Sequence, residues 1–179
     1  MEGNIVRDDL SDFDFTSFFR FSQYVQDRYV APPPSLELVQ RVEADLGVKL
    51  PEAYKTLATH QNGGAPVNDV HAAPSPTSWA DDHVAISAIF SISYVQYGLC
   101  GEMGTRFWTA EWGYPGDLIY FADCPSGGHD MVALNYRDCG PDGEPTIVHV
   151  DQEDDYLITE IAPDFGSFIR GLVSREAFD

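Results

Sequence analysis

The chain has 179 residues, a length that fits one domain of ordinary size better than two. Its 11 Phe, 9 Tyr and 3 Trp, within a composition that is 44% hydrophobic, supply a sizeable core and exclude a globally disordered chain. Ten Lys and Arg against 29 Asp and Glu give a net charge of −19, which argues against grip on nucleic acid, because phosphate affinity comes from cations that displace condensed counterions. The same field repels anionic membrane surfaces and draws in a basic protein from a distance.

Met1 to Phe15 holds Glu2, Asp8, Asp9, Asp12 and Asp14 against a single Arg7. Neither the cationic start nor the apolar run of an export signal is present, and no apolar run is long enough for a bilayer, so a cytoplasmic chain is expected. Behind Asp14, the near-helical recurrence of Phe15, Phe18, Phe19 and Val25 predicts a first helix reaching Tyr29 and stopping before Pro32-Pro33-Pro34. Ser35 then caps a second helix with Leu36, Val39, Val42 and Leu46 inward and Gly47 as its stop. Pro51 suits the first turn of a third helix, where its missing N–H costs nothing, with Tyr54, Leu57 and Ala58 as the buried stripe. Asn62-Gly63-Gly64 ends that helix with residues that tolerate positive φ.

From Ala65 to about Asp82, Pro66, Pro74 and Pro76 among small and polar residues predict a long surface loop with Trp79 near its end. Val84, Ile86 and Ala88 alternate as in a strand, but Ile89-Phe90 breaks the period, so strand and helix both stay open between His83 and Tyr97. Five glycines with Trp108 and Trp112 between Gly98 and Gly116 suit a loop with one short helical turn. Leu118 to Ala122 and Asp130 to Tyr136 form a predicted hairpin about Pro125-Ser126-Gly127-Gly128. Strands follow at Ile147 to Val150 and Tyr156 to Ile161, and Asp164 caps a last helix with Phe165, Phe168, Ile169 and Leu172 on one face. This order predicts an α+β fold, a mainly antiparallel mixed sheet with helices packed on one face, the other face needing cover or a partner. One domain over 1–179 is expected, with a helical extension at 1–30 and an irregular insertion at 65–113.

The stretch Val39 to Gly64 carries Leu46-Gly47, Leu50-Pro51, Tyr54 and Asn62-Gly63-Gly64 in that order. It resembles the SUKH superfamily, the group named for the yeast Smi/Knr cell-wall regulators. Gly116 to Ala122, Ser126-Gly127-Gly128 and Ile161 to Leu172 extend the resemblance. Capping and turn roles account for Gly47, Pro51 and Asn62 to Gly64, so none is assigned chemistry. The resemblance implies an α+β scaffold without catalytic residues or cofactor, used in bacteria chiefly as an immunity protein against a polymorphic toxin. The toxin would be a nuclease, a deaminase or an enzyme that destroys a nucleotide cofactor. A regulatory scaffold for cell-wall or signalling enzymes, as in the fungal relatives, is the alternative it leaves.

Between Arg137 and Arg170 stand nine acids and no Lys or Arg, the densest stretch of one sign. Asp142, Glu144, Asp151, Glu153, Asp154 and Asp155 are its candidate partner-binding residues, with Asp151 to Asp155 expected to project into solvent between two strands. A merely solvated loop is the competing reading. Trp79, Trp108 and Trp112, with Tyr114, are candidate aromatic anchors, against core packing. Ser126, His129 and Asp130 are neighbours in a turn rather than a triad, and no Gly-x-Ser-x-Gly elbow occurs. The acidic run lacks the glycine that a calcium loop needs where Tyr156 stands. Cys100, Cys124 and Cys139 form no Cys-x-x-Cys pair and are expected as thiols. His60, His71, His83, His129 and His149 have no ligand spacing, so no metal is expected; a metal-assisted hydrolase would need a zinc site assembled from distant segments.

Overall fold

A computed structural model describes residues 8–179; the predicted extension at 1–30 therefore begins outside the described residues, as do Glu2 and Arg7. Helices α1 (Gln23–Arg28), α2 (Leu36–Leu46) and α3 (Glu52–His60) come first. Short strands β1 (Val70–Ala72), β2 (His83–Ala85) and β3 (Ala88–Ile89) and helix α4 (Thr105–Trp112) lie in the middle segment. Strands β4 (Leu118–Asp123), β5 (Asp130–Asn135), β6 (Thr146–Asp151) and β7 (Leu157–Ala162), then α5 (Phe165–Gly171), complete the α+β architecture. A five-stranded sheet runs β3-β4-β5-β6-β7 and a small one pairs β1 with β2, every pairing between these strands being antiparallel.

The helix predicted behind Asp14 is shorter than its periodicity suggests. Asp14 accepts from the Thr16 amide two residues on, a local turn, and α1 is instead capped by Ser22, which accepts from the Val25 amide. Phe13, Phe15 and Phe18 pack edge to face at 4.7–5.9 Å, and Phe15 stacks on His60. Arg20 N donates to Ala65 O and Val67 N to Phe18 O, so this segment pairs as extended chain with the stretch after α3. Partial burial of Phe13, Phe15, Phe18 and Phe19 is obtained there without a helix. Helices α2 and α5 begin where predicted, Ser35 and Asp164 each accepting an amide of the first turn.

Asn62 does more than end α3. Its buried side chain donates to the carbonyls of Pro32 and Ile92 and accepts from the Ile92 amide, tying three separate segments. Gly63 then passes so close to Tyr29 O that a Cβ would stand 2.4 Å from it. The segment 65–113 is irregular over most of its length, yet β3 joins the main sheet through β4, which settles the open reading at His83 to Tyr97 as short strands followed by loop.

Strands β4, β5 and β6 are buried at nearly every position, so both sheet faces are covered. Tyr54 of α3 stacks on Phe165 of α5 at 4.5 Å, and both meet Phe121, closing one face. The face that the sequence left open is closed by the chain itself. Thr105 of α4 donates to Tyr120 O, and Tyr114 packs on Tyr120, Trp108 and Tyr156.

Candidate functional site

The β5–β6 register places Asp130 opposite Asp151 and Val132 opposite His149. Side chains alternate along a strand, so Asp130, His149 and Asp151 stand on one face at the end of the sheet that carries the β4–β5 turn. Ser78, Trp79, Ser126, His129, Asp130, Asp151 and Glu153 line a cleft of about 220 Å³ there. Ser126 holds the turn, its hydroxyl accepting the amides of His129 and Asp130. The Asp151 carboxylate accepts the Ser78 amide at 2.8 Å and so anchors the loop that carries Trp79. Glu153 bonds His129 Nδ1 at 2.8 Å, and Trp112 meets the His129 ring edge to face at 5.6 Å.

The nine candidate partner-binding residues thus divide. Trp79, 39% exposed, Asp151 and Glu153 share the cleft, with Trp112 behind its rim and Asp154 and Asp155 in the exposed turn that follows. Asp151 does not project into solvent as expected: it is buried, because it ends β6 and bonds the Ser78 loop. Trp108 is buried in the core and donates its indole N–H to Met103 O, so it offers no surface to a partner. Asp142 and Glu144 lie at the other end of β6, roughly 20 Å away along the strand. Asp142 sits there beside Gly47 and Lys49, where Lys49 N donates to Pro141 O. The acidic run is therefore two separate patches.

Among the described residues, no Lys or Arg forms an ion pair with Asp151, Glu153, Asp154 or Asp155. Several cations are committed elsewhere: Arg137 to Asp117, Arg170 to Asp8 and Asp12, Arg175 to Asp69, Lys55 to Glu43 and Glu52. Among the described residues, the acids at the cleft end therefore have no Lys or Arg in contact, Glu153 meeting only the His129 ring as a basic group.

Beneath the cleft, Cys124, Asp130 and His149 are all buried and offer donor atoms within 4.8 Å of one another. His149 Nε2 bonds Asp130 Oδ2 at 2.7 Å, while His149 Nδ1, Asp130 Oδ1 and Asp151 Oδ1 are buried without a hydrogen-bond partner among the described residues. Burial, helped by the neighbouring carboxylates of Asp130 and Asp123, pushes the Cys124 thiol well above its usual range. Asp123 itself faces away from this cluster in the strand alternation and takes the Tyr29 hydroxyl at 2.6 Å; burial raises its carboxyl to about 6. Sequence reasoning assigned no role to Ser78, Asp130, Cys124 or His149 in one site. Only the strand register brings them together, and no local spacing encodes it.

The three cysteines carry no disulfide, and no helix among the described residues is long and apolar enough to cross a membrane. A comparison with curated proteins finds none that matches. Residues 33–171, from the proline run before α2 to the end of α5, match the model of the SMI1 / KNR4 family (SUKH-1), and the chain belongs to that family.

Proposed function

We propose that this protein is an immunity protein that binds a cognate toxin domain in the cytoplasm of the producing cell, occludes its active site and carries out no chemistry of its own. Family membership supports an immunity role, and the cleft end supplies a surface suited to it. The observation that carries the reading is the grouping of half-exposed Trp79 with Glu153, Asp154 and Asp155 in a patch where, among the described residues, no Lys or Arg pairs with the acids. An aromatic anchor beside acids that no Lys or Arg neutralises fits a basic substrate cleft, such as that of a nuclease, with charge steering the encounter and the ring contributing affinity.

The test is titration calorimetry of the full chain against the toxin domain encoded beside it, at two salt concentrations. Charge reversal by Glu153→Lys with Asp154→Lys is expected to weaken binding at least tenfold and to flatten its salt dependence. Asp155 has φ +52°, a left-handed conformation that Asn adopts more readily than Lys, so Asp155→Asn is the variant to use there. Reversal of Asp142 and Glu144, at the far end, is expected to leave affinity nearly unchanged. Unaltered binding after reversal of Glu153 and Asp154 removes the cleft from the interface. Toxicity of the neighbouring domain that co-expression of this chain does not relieve would overturn the immunity reading itself.

A further inference from the structure

We propose that Cys124, Asp130 and His149 form a zinc site at the floor of the cleft, with the remaining coordination position open to solvent through it. Three observations carry this. The donors are a thiol, a carboxylate and an imidazole, a mixed S/O/N set that suits zinc and does not suit magnesium or calcium, which take oxygen ligands. Ligand atoms around a tetrahedral zinc stand roughly 3.3–3.8 Å apart, given the usual bond lengths. The separations here, from 2.7 Å for His149 to Asp130 up to a limit of 4.8 Å, bracket that value.

The second observation is unmet polarity. Asp130 is buried with Oδ1 unpartnered, while His149, wholly buried, turns Nε2 toward the cluster and carries its unpartnered Nδ1 on the other side of the ring. Buried polar atoms are nearly always satisfied by protein, water or an ion, so the orphan carboxylate oxygen of Asp130 marks a place for something the protein alone does not supply. The third is access. Asp130 both belongs to the cluster and lines the cleft, so an ion has a path from solvent to donors that are otherwise enclosed. Asp151 stands opposite Asp130 with one carboxylate oxygen on the Ser78 amide and the other unpartnered. Three segments contribute: the residue after β4, the first residue of β5 and the middle of β6. A bound ion would therefore pin the β4–β5 turn to the sheet beneath the proposed binding surface. The inference does not depend on the partner.

The experiment uses the purified full chain stripped with a chelator and dialysed, then titrated with zinc chloride against a competing chromophoric chelator. Stoichiometric binding and a zinc-dependent rise in melting temperature are expected, since an ion that binds the folded state selectively stabilises it. With cobalt chloride in place of zinc, a thiolate-to-metal charge-transfer absorption is expected, persisting in Cys100→Ser with Cys139→Ser and vanishing in Cys124→Ser. Cys124→Ser, nearly isosteric and checked for native circular dichroism, is expected to lose at least tenfold in zinc affinity, as is His149→Gln. His129→Ala, on the rim with Glu153, is expected to bind zinc as the parent does. Absence of zinc binding by the parent chain overturns the proposal. So does binding that survives in Cys124→Ser and disappears in His129→Ala, which would put the ion on the rim.

Discussion

Tyr54 of α3 donates a 2.6 Å hydrogen bond from its buried hydroxyl to the main-chain carbonyl of Phe90, the residue that follows β3. The bond ties the helix of the Leu-Pro motif to the edge of the main sheet. Tyr54→Phe keeps the ring stacked on Phe165 and removes only the donor, leaving a buried carbonyl unpaired. A loss of about 1–3 kcal/mol is expected, read as a lower urea midpoint with unchanged slope. An unchanged midpoint would show that the bond is dispensable.

Gly128, at the hairpin turn, has φ +102°, and a Cβ there would meet Trp108 at 2.9 Å and Trp112 at 3.0 Å. Both strain and collision oppose any side chain. Gly128→Ala is expected to destabilise by more than about 1 kcal/mol and to shift tryptophan emission as the two indoles are displaced. Emission identical to the parent's would contradict this packing.

The tryptophans separate stability from binding. Trp108→Ala opens a large void in the core and is expected to cost about 3–5 kcal/mol in chemical unfolding. Trp79→Ala, on the cleft, is expected to leave stability within about 0.5 kcal/mol and, on the proposed immunity role, to weaken binding of the toxin domain by about 2 kcal/mol or more. The reverse pattern, with Trp79 stabilising and Trp108 affecting only affinity, would sink this assignment.

His71 stacks on Phe168, donates Nδ1–H to Ala72 O, and has its pKa lowered from 6.5, chiefly by burial. Below pH 6.5 the unfolded chain takes up a proton that the folded chain resists. Stability from the neutral ring is therefore full above that pH and is lost as pH falls through the folded value. The parent is expected to lose stability relative to His71→Phe as pH drops from 7.5 to 5. Parallel stability curves over that range would rule the coupling out.

Much of this was legible in the sequence, and for local reasons. Ser35, Pro51 and Asp164 mark helix starts because capping chemistry acts within one turn, and the β4–β5 hairpin follows from its Gly-Gly turn between apolar runs. The phenylalanines after Asp14 misled because their period is helical, while their burial comes from one another, from His60 and from pairing with the chain at Ala65.

The sequence alone determined the negative charge, the order of helices and strands, and the Leu-Gly, Leu-Pro, Tyr and Asn-Gly-Gly series, since each is set by composition or by neighbours a few residues apart. Tertiary structure decided the rest. It buried Trp108, split the acidic run between the two ends of β6, and set Cys124, Asp130 and His149 together beneath Trp79 and Glu153. The meeting of Asp130 with His149 depends on strand register, where a shift of one residue would put them on opposite faces, and the burial of Trp108 on the face that α4 turns to the sheet.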